Sequence, residues 1–110
     1  MILGIMQLIE AVEGSTCFFI PGQDEDSAFP PGTAPVFYNR RMELNRDATV
    51  LLLQVVQPED YIDTMGATGV RGLRVAQECG INVTINDRDT RAVDLIRTNV
   101  LHSGLENVTV

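Results

Sequence analysis

The chain has 110 residues, which is enough for one domain with a modest core and too few for a comfortable second domain. Its hydrophobic fraction of 45% is typical of a folded globular protein and excludes a disordered tail. The formal net charge is −7, and the eight basic residues are all arginine. An acidic surface opposes docking on a polyanion, so charge alone argues against nucleic-acid binding by this segment.

Targeting and metal-binding signals are missing from the sequence. The first six residues are apolar but lack a basic flank and a small-residue cleavage site. The longest apolar run, Val50–Val56, is far shorter than the roughly 20 residues that span a bilayer. Cys17 and Cys79 have no His or Cys neighbours at metal-ligand spacing. We therefore expect a soluble cytoplasmic chain with buried free thiols and no metal site.

The N-terminal third has the pattern of a β-hairpin followed by a loop. Apolar and polar residues partly alternate over Met6–Val12, residues 13–16 supply turn chemistry, and Cys17–Ile20 is a second extended run. Residues 21–35 then contain four of the five prolines. They also carry the acidic run 24–26, for which solvated carboxylates are the expected state and no role is assigned.

Helical and extended patterns alternate over the rest of the chain. Asn39 suits a helix N-cap, and apolar residues recur at helical spacing over 41–57 until Pro58 ends the pattern. The following predicted elements are strand Tyr61–Met65, helix Val70–Glu78 ended by Gly80, strand Ile81–Asn86, helix Asp89–Leu101 and the start of a strand at Asn107–Val110.

This βαβαβ order with short connections predicts an α/β fold with a Rossmann-like parallel sheet. A hairpin and a long helix precede the sheet. The chain stops as a strand begins, so we expect the sheet to be incomplete. The predicted division is a hairpin and loop over 1–35 and the first part of the Rossmann-like domain over 36–110.

A glycine turn joins the first strand of this sheet to the next helix. Glycines at 66, 69 and 72 allow a sharp turn, a close approach to a ligand and tight packing of the helix on the sheet. The helix start adds unpaired N–H groups, and ligands of open α/β sheets bind at this edge. The segment from Asp63 to Asp87 is therefore predicted to hold a nucleoside cofactor.

The residues around the turn favour one class of cofactor. The dinucleotide fingerprint needs glycines separated by one and then two residues, whereas Gly66, Gly69 and Gly72 are separated by two and two. Asp63, at the end of the first strand, suits a ligand with an ammonium group and would repel a pyrophosphate. These features favour S-adenosylmethionine, with an NAD-dependent oxidoreductase as the lesser alternative.

Two charged residues near the turn, Asp87 and Arg71, have competing interpretations. Asp87 follows the second strand and is placed to accept hydrogen bonds from ribose hydroxyls, with helix capping as the alternative. Arg71 lies in the turn, where a cofactor contact and a structural ion pair are equally supported. A solvated helix face accounts for Arg74, Arg88, Arg91 and Arg97, and His102 is interpreted as a surface or capping residue.

Several sequence blocks occur together and carry a resemblance. The blocks are Val36-Phe37-Tyr38-Asn39-Arg40-Arg41-Met42-Glu43-Leu44-Asn45-Arg46-Asp47, then Asp63 to Arg74, then Asn86-Asp87, with Glu13-Gly14, Phe18, Phe19 and Pro21 upstream. In combination they resemble the tRNA (guanine-26, N2)-dimethyltransferase family. The resemblance implies a class I methyltransferase domain that uses S-adenosylmethionine to methylate the exocyclic amine of a guanine in tRNA, once or twice.

Position by position, the resemblance implies that Arg46 and Arg71 contact the cofactor and that Asp87 holds its ribose. A guanidinium at position 46 could grip the cofactor's carboxylate bidentately. The alternative for Arg46 is an ion pair with Asp47 or Glu43. Together with Asp63 and Gly66, these residues form the predicted cofactor site.

The sequence also departs from that family's pattern. Arg40 stands where the family commonly has proline, and the Asp-Pro-Phe block that receives the guanine amine is absent. The zinc-binding cysteines of the later domain, which would accompany a basic tRNA platform, are absent too. We expect an N-terminal part that binds cofactor, is inactive alone and meets tRNA through the full-length protein. The alternative is a non-catalytic cofactor-binding or assembly module that pairs through an open sheet edge at Val108–Val110.

Overall fold

The computed structural model describes residues 1–4, 6–22 and 35–110. Its N-terminal part is an antiparallel sheet in the order β1-β2-β3, formed by Ile2–Leu3, Met6–Glu13 and Thr16–Pro21. The predicted hairpin is confirmed, with Glu13 paired to Thr16 across the turn. The loop predicted for 21–35 lies outside the described residues except at its ends, and so does the acidic run 24–26.

The second part alternates helices and parallel strands, as predicted. Its elements are a 3-10 turn Arg40–Met42, α1 Glu43–Val56, β4 Asp60–Asp63, α2 Val70–Cys79, β5 Asn82–Ile85, α3 Thr90–Ser103 and β6 Val108–Thr109. Strands β4, β5 and β6 pair in that order, and both pairs are parallel. The α/β fold with a Rossmann-like parallel sheet is thus confirmed.

Local capping chemistry sets the helix ends. The Asn39 side chain accepts a hydrogen bond from the Arg41 N–H at 2.9 Å and so begins the 3-10 turn that leads into α1. Asp89 caps α3 in the same way, accepting from the Arg91 N–H at 2.9 Å. Gly80 ends α2 in the left-handed conformation, with φ of 69°, where glycine carries no steric cost.

The two sheets contribute to the same hydrophobic cluster. Phe18 and Ile20 of the hairpin belong to the same buried cluster as Leu73 of α2 and Ile85 of β5. Asn99 of α3 is fully buried. Its side-chain amide pairs with both backbone groups of Phe19 on β3, as a neighbouring strand would. Its Oδ1 accepts from the Phe19 N–H at 2.6 Å, and its Nδ2 donates to the Phe19 carbonyl at 3.0 Å.

The thiols are less buried than predicted. Both cysteines are free, but Cys17 is exposed and Cys79 is half-buried. The expectation of burial is wrong for Cys17 because side chains alternate along β3, and the inward positions belong to Thr16 and Phe18. No helix in the described ranges is long and apolar enough to cross a membrane.

Candidate cofactor site

The glycine turn at the carboxyl end of β4 is fixed by backbone hydrogen bonds to β5. The Asn86 N–H donates to the Asp63 carbonyl at 2.8 Å, and the Gly66 N–H donates to the Asn86 carbonyl at 2.9 Å. A Cβ at position 66 would lie 2.4 Å from Cγ2 of Ile85. Only glycine therefore lets the turn pack this closely on the adjacent strand.

Two adjoining cavities lie over this turn. The first has a volume of about 120 Å³, and Arg46, Asp63, Gly66 and Arg71 are among its lining residues. The second, of about 270 Å³, is lined in part by Asp87. Ala67 of the turn and Phe37, from the segment before α1, line both cavities. The fold thus brings all five predicted site residues to one edge of the sheet, in two neighbouring spaces.

Asp63 is a half-buried carboxylate at the end of β4. Its Oδ1 accepts a hydrogen bond from the Met65 N–H at 3.3 Å. Burial raises the pKa of Asp63 and the neighbouring Asp87 raises it further, while the Met65 N–H and Arg71 act in the opposite direction. A positive ligand group beside Asp63 would favour its ionised form.

Arg71 reaches across to α1 instead of pairing with an acid. Its Nη1 donates to Oγ1 of Thr49 and its Nη2 donates to Oδ1 of Asn45, each at 2.6 Å. Both acceptors are neutral, so the structure shows hydrogen bonds and not the structural ion pair that was the alternative for Arg71. The positive charge of Arg71 therefore stays unneutralised by direct hydrogen bonding beside the first cavity.

Arg46 is buried, with a relative exposure of 4%, and its partner is neither Asp47 nor Glu43. Its Nε and Nη2 donate to the two carboxylate oxygens of Glu13 at 2.8 and 2.5 Å. Nη2 also donates to the Asn39 carbonyl at 3.1 Å. The bidentate edge predicted for a ligand is thus occupied by Glu13, which leaves Nη1 without an acceptor among the described residues.

Asp87 joins the glycine turn to the end of β5. Its Oδ2 accepts from the Ala67 N–H at 3.0 Å, and its Oδ1 accepts from the Asp89 N–H at 2.8 Å. The capping role that was its alternative belongs to Asp89, which caps α3. Each carboxylate oxygen of Asp87 retains lone-pair capacity for a further donor.

A buried polar network behind the first cavity was not predicted. Arg74 has a relative exposure of 3%, so its assignment to a solvated helix face is wrong. Its Nη1 donates to Oδ1 of Asp47 at 2.6 Å and its Nε to Oε2 of Glu78 at 2.7 Å. The hydrogen bonds that Arg74 donates to Glu78 and to Asp47 raise the pKa of Arg74, while burial acts in the opposite direction.

Tyr38 connects this network to the cavity. Its hydroxyl donates to Oε2 of Glu13 at 2.5 Å, and the guanidinium of Arg46 lies 5.1 Å from the centre of its ring. Burial, followed by the hydrogen bond to Glu13, raises the pKa of Tyr38 well above its usual value. The spacing of four residues between Arg74 and Glu78 indicated that the two could pair on a helix, but it did not indicate that the pair is buried.

The parallel sheet, the glycine turn and acids at two neighbouring strand ends define a Rossmann-like domain of the type that holds nucleoside cofactors. Among the residues described by the structure, no group of three or more His, Cys, Asp or Glu side chains could hold a metal ion.

The chain matches the family of N2,N2-dimethylguanosine tRNA methyltransferases over residues 19–110 and belongs to that family.

Individual relatives agree with this assignment. The chain is 71% identical over 100 residues to a tRNA (guanine(26)-N(2))-dimethyltransferase from Methanoregula boonei, covering 91% of this chain and 27% of that protein. A protein of the same name from Sulfolobus acidocaldarius is 45% identical over 107 residues, covering 93% and 28%.

A solved structure is also similar. It is the complex of Trm1 from Pyrococcus horikoshii with S-adenosyl-L-methionine, which matches with a TM-score of 0.76 and 40% sequence identity. The match covers 87% of this chain and 24% of that one. The chain therefore spans roughly a quarter of the length of the relatives that it matches.

Proposed function

We propose that this chain is the cofactor-binding part of a methyltransferase that uses S-adenosyl-L-methionine to dimethylate the N2 amine of guanine 26 in tRNA. Family membership over most of the chain supports this proposal, as does 40% identity to a structure solved with that cofactor. The observation that carries it is the pair of acids at neighbouring strand ends, on either side of a glycine turn. Its proposed compartment is the cytoplasm, and its proposed macromolecular partner is tRNA.

The side chains around the two cavities fit the chemistry of this cofactor. Asp63 would attract the ammonium of the methionine part, and Arg71 would attract its carboxylate. Arg46 would add its free Nη1 to that carboxylate. Asp87, in the second cavity, would accept hydrogen bonds from ribose hydroxyls, and Gly66 would let the backbone approach the ligand.

The described residues bind and orient in this proposal, and none of them is assigned a proton-transfer step. The cofactor supplies an electrophilic methyl group on a sulfonium. Methyl transfer to an amine depends mainly on holding both groups in line at short range. The sequence does not contain an Asp-Pro-Phe block to hold the guanine amine. We therefore propose that the chain alone binds the cofactor without catalysing transfer.

Calorimetric titration with S-adenosylhomocysteine tests the assignment of Asp87. The substitution Asp87→Asn removes the charge and keeps one acceptor oxygen, which can serve the Ala67 N–H or the Asp89 N–H but not both. Loss of a charge-assisted hydrogen bond to ribose should weaken binding by about 10-fold or more. The matched control is Asp60→Asn at the opposite end of β4, where the side chain is exposed, and its affinity should stay within about 2-fold of the parent.

Equal affinity of the Asp87→Asn protein and the parent would remove the ribose assignment. Titration with NAD separates the cofactor classes, because the glycine spacing and Asp63 disfavour a pyrophosphate. Binding of NAD in preference to S-adenosylhomocysteine would overturn the proposed function.

A further inference from the structure

The guanidinium of Arg46 is oriented from outside its own helix, by a residue of the hairpin. Glu13 is the last residue of β2, has a relative exposure of 1%, and lies 33 positions before Arg46. Its two oxygens accept from Nε and Nη2 of Arg46. We propose that Glu13 is a positioning residue for cofactor binding, which holds Arg46 so that Nη1 faces the carboxylate of the ligand. This inference rests on the proposed function.

Counting the donors of Arg46 identifies Nη1 as the group available to a ligand. A guanidinium carries five N–H donors. Nε uses its single hydrogen on Glu13, and Nη2 uses its two on Glu13 and on the Asn39 carbonyl. The described residues offer no acceptor to Nη1, although Arg46 is almost fully buried and lines the first cavity. A buried donor without an acceptor is costly, and a ligand carboxylate would remove that cost.

Glu13 is itself held in place. The Tyr38 hydroxyl donates to its Oε2 at 2.5 Å, and Nη1 of Arg74 lies 3.4 Å from its Oε1. Donors from α1, from α2 and from the segment before the 3-10 turn therefore meet at one carboxylate. Because the buried Glu13 carboxylate is held by these donors, its two hydrogen bonds with Arg46 fix the direction of that guanidinium before any ligand arrives.

The position of Glu13 also separates the roles of the two arginines near the cavity. Glu13 neutralises Arg46, so Arg46 recognises a carboxylate by direction and not by net charge. Arg71 donates to neutral partners and keeps its full charge. The two possible roles of Glu13 thus predict effects of opposite sign. Removing its charge should strengthen carboxylate binding if charge alone matters, and should weaken it if the direction of Arg46 matters.

The test compares two ligands on the full chain. S-adenosylhomocysteine and 5′-methylthioadenosine share the adenosine and the thioether, but the second lacks the amino-acid carboxylate. In Glu13→Gln we expect affinity for S-adenosylhomocysteine to fall by about 10-fold, because the charged bidentate pair between Glu13 and Arg46 is lost. Affinity for 5′-methylthioadenosine should change by less than about 3-fold. The matched control is Glu78→Gln, which removes a charge from the same network without touching Arg46.

A second variant keeps the proposal testable where Glu13→Gln does not fold. Tyr38→Phe removes one donor to Glu13 and leaves both of its bonds to Arg46, so a smaller loss, about 3-fold, is expected for S-adenosylhomocysteine alone. Circular dichroism and thermal unfolding establish that each variant is folded.

Three outcomes would overturn the positioning role. These are tighter binding of S-adenosylhomocysteine by Glu13→Gln, an equal loss for both ligands, and a loss of discrimination in Glu78→Gln that matches Glu13→Gln. Failure of the proposed function gives a different result. In that case the parent binds neither adenosine ligand. A parent that binds both equally makes no carboxylate contact, which also overturns the positioning role but leaves the proposed function standing.

Discussion

The fold alters the titration of Asp63, at the end of β4 in the predicted cofactor site. Burial raises its pKa above the ordinary value for aspartic acid of about 3.9, and Asp87 adds to the effect. The folded protein therefore binds this proton more tightly than the unfolded chain. The contribution of Asp63 to stability is present below the ordinary pKa and is lost as pH rises through the raised one. An ammonium beside the ionised carboxylate would offset that loss.

This shift predicts that S-adenosylhomocysteine binds less tightly as pH falls through the raised pKa of Asp63. The carboxylate becomes neutral there, while the ammonium of the ligand stays charged. Calorimetric titrations across the mildly acidic range should show the decline in the parent and in Asp60→Asn, but not in Asp63→Asn. Binding of 5′-methylthioadenosine, which lacks the ammonium, should vary less with pH. The same decline in Asp63→Asn would contradict the assignment.

Some site residues could be predicted from the sequence because local rules place them, whereas partners that are distant in the sequence could not. The positions of Asp63 and Asp87 follow from the rule that parallel strands present their carboxyl ends at one edge. The partner of Arg46 does not follow from any local rule, because Glu13 lies 33 residues away on a different sheet. Arg74 was misassigned for the same reason, since only its helical neighbours were considered and its partner on α1 was not.

At the scale of elements, the hairpin turn is shaped by the network beneath it. Gly14 has a φ of +55°, and a Cβ there would lie 2.2 Å from Oε1 of Glu78. Glu78 cannot move away freely, because its carboxylate accepts from Arg74 and from the Thr16 hydroxyl. The turn between β2 and β3 is therefore restricted both by its backbone conformation and by close packing.

Substituting Gly14→Ala and Gly80→Ala separates these two restrictions. Both glycines have positive φ, but a Cβ at position 80 would meet nothing within 4 Å. Strain alone should cost Gly80→Ala about 1–2 kcal/mol of unfolding free energy. Gly14→Ala should cost at least about 1 kcal/mol more, because it also displaces Glu78 from Arg74. Urea denaturation measures the unfolding free energy of both variants. Equal losses would show that the Glu78 side chain moves aside without cost.

Element positions were easier to predict than side-chain partners because their signals are local. Caps and breakers such as Asn39, Pro58 and Gly80 determine where helices begin and end within a few residues. The parallel strands are shorter than predicted, and β4 ends at Asp63, where the chain leaves the ladder and enters the glycine turn. Apolar patterning extended the predicted strand into that turn, although the ladder had already ended.

For the molecule as a whole, the division into residues 1–35 and 36–110 stays a prediction, and buried contacts join the described residues of the two segments. The core cluster crosses it, with Phe18 and Ile20 packed among residues of the parallel-sheet unit. The buried Asn99 adds polar links, since its Nδ2 donates to the carbonyls of Phe19 and Thr68 at 3.0 and 2.8 Å. We therefore propose that the hairpin and the glycine turn form one cooperative unit. Such coupling is consistent with the proposed role of Glu13, a hairpin residue that positions Arg46 beside the turn.

Hydrogen exchange of the Asn99→Ala protein tests this coupling. In the parent, the most protected amides of β2 and β3 should open with the same free energy as those of β5. Asn99→Ala leaves Phe19 and Thr68 with unpaired backbone groups, so opening of the hairpin should become easier than opening of β5 by about 2 kcal/mol. The matched control is Asn107→Ala, which loses bonds to Ala76 and Ile81 within the parallel-sheet unit and should lower both protections alike. Equal losses in β3 and β5 for Asn99→Ala would mean that packing of Phe18 and Ile20 alone couples the two sheets, and that the polar links add rigidity without adding cooperativity.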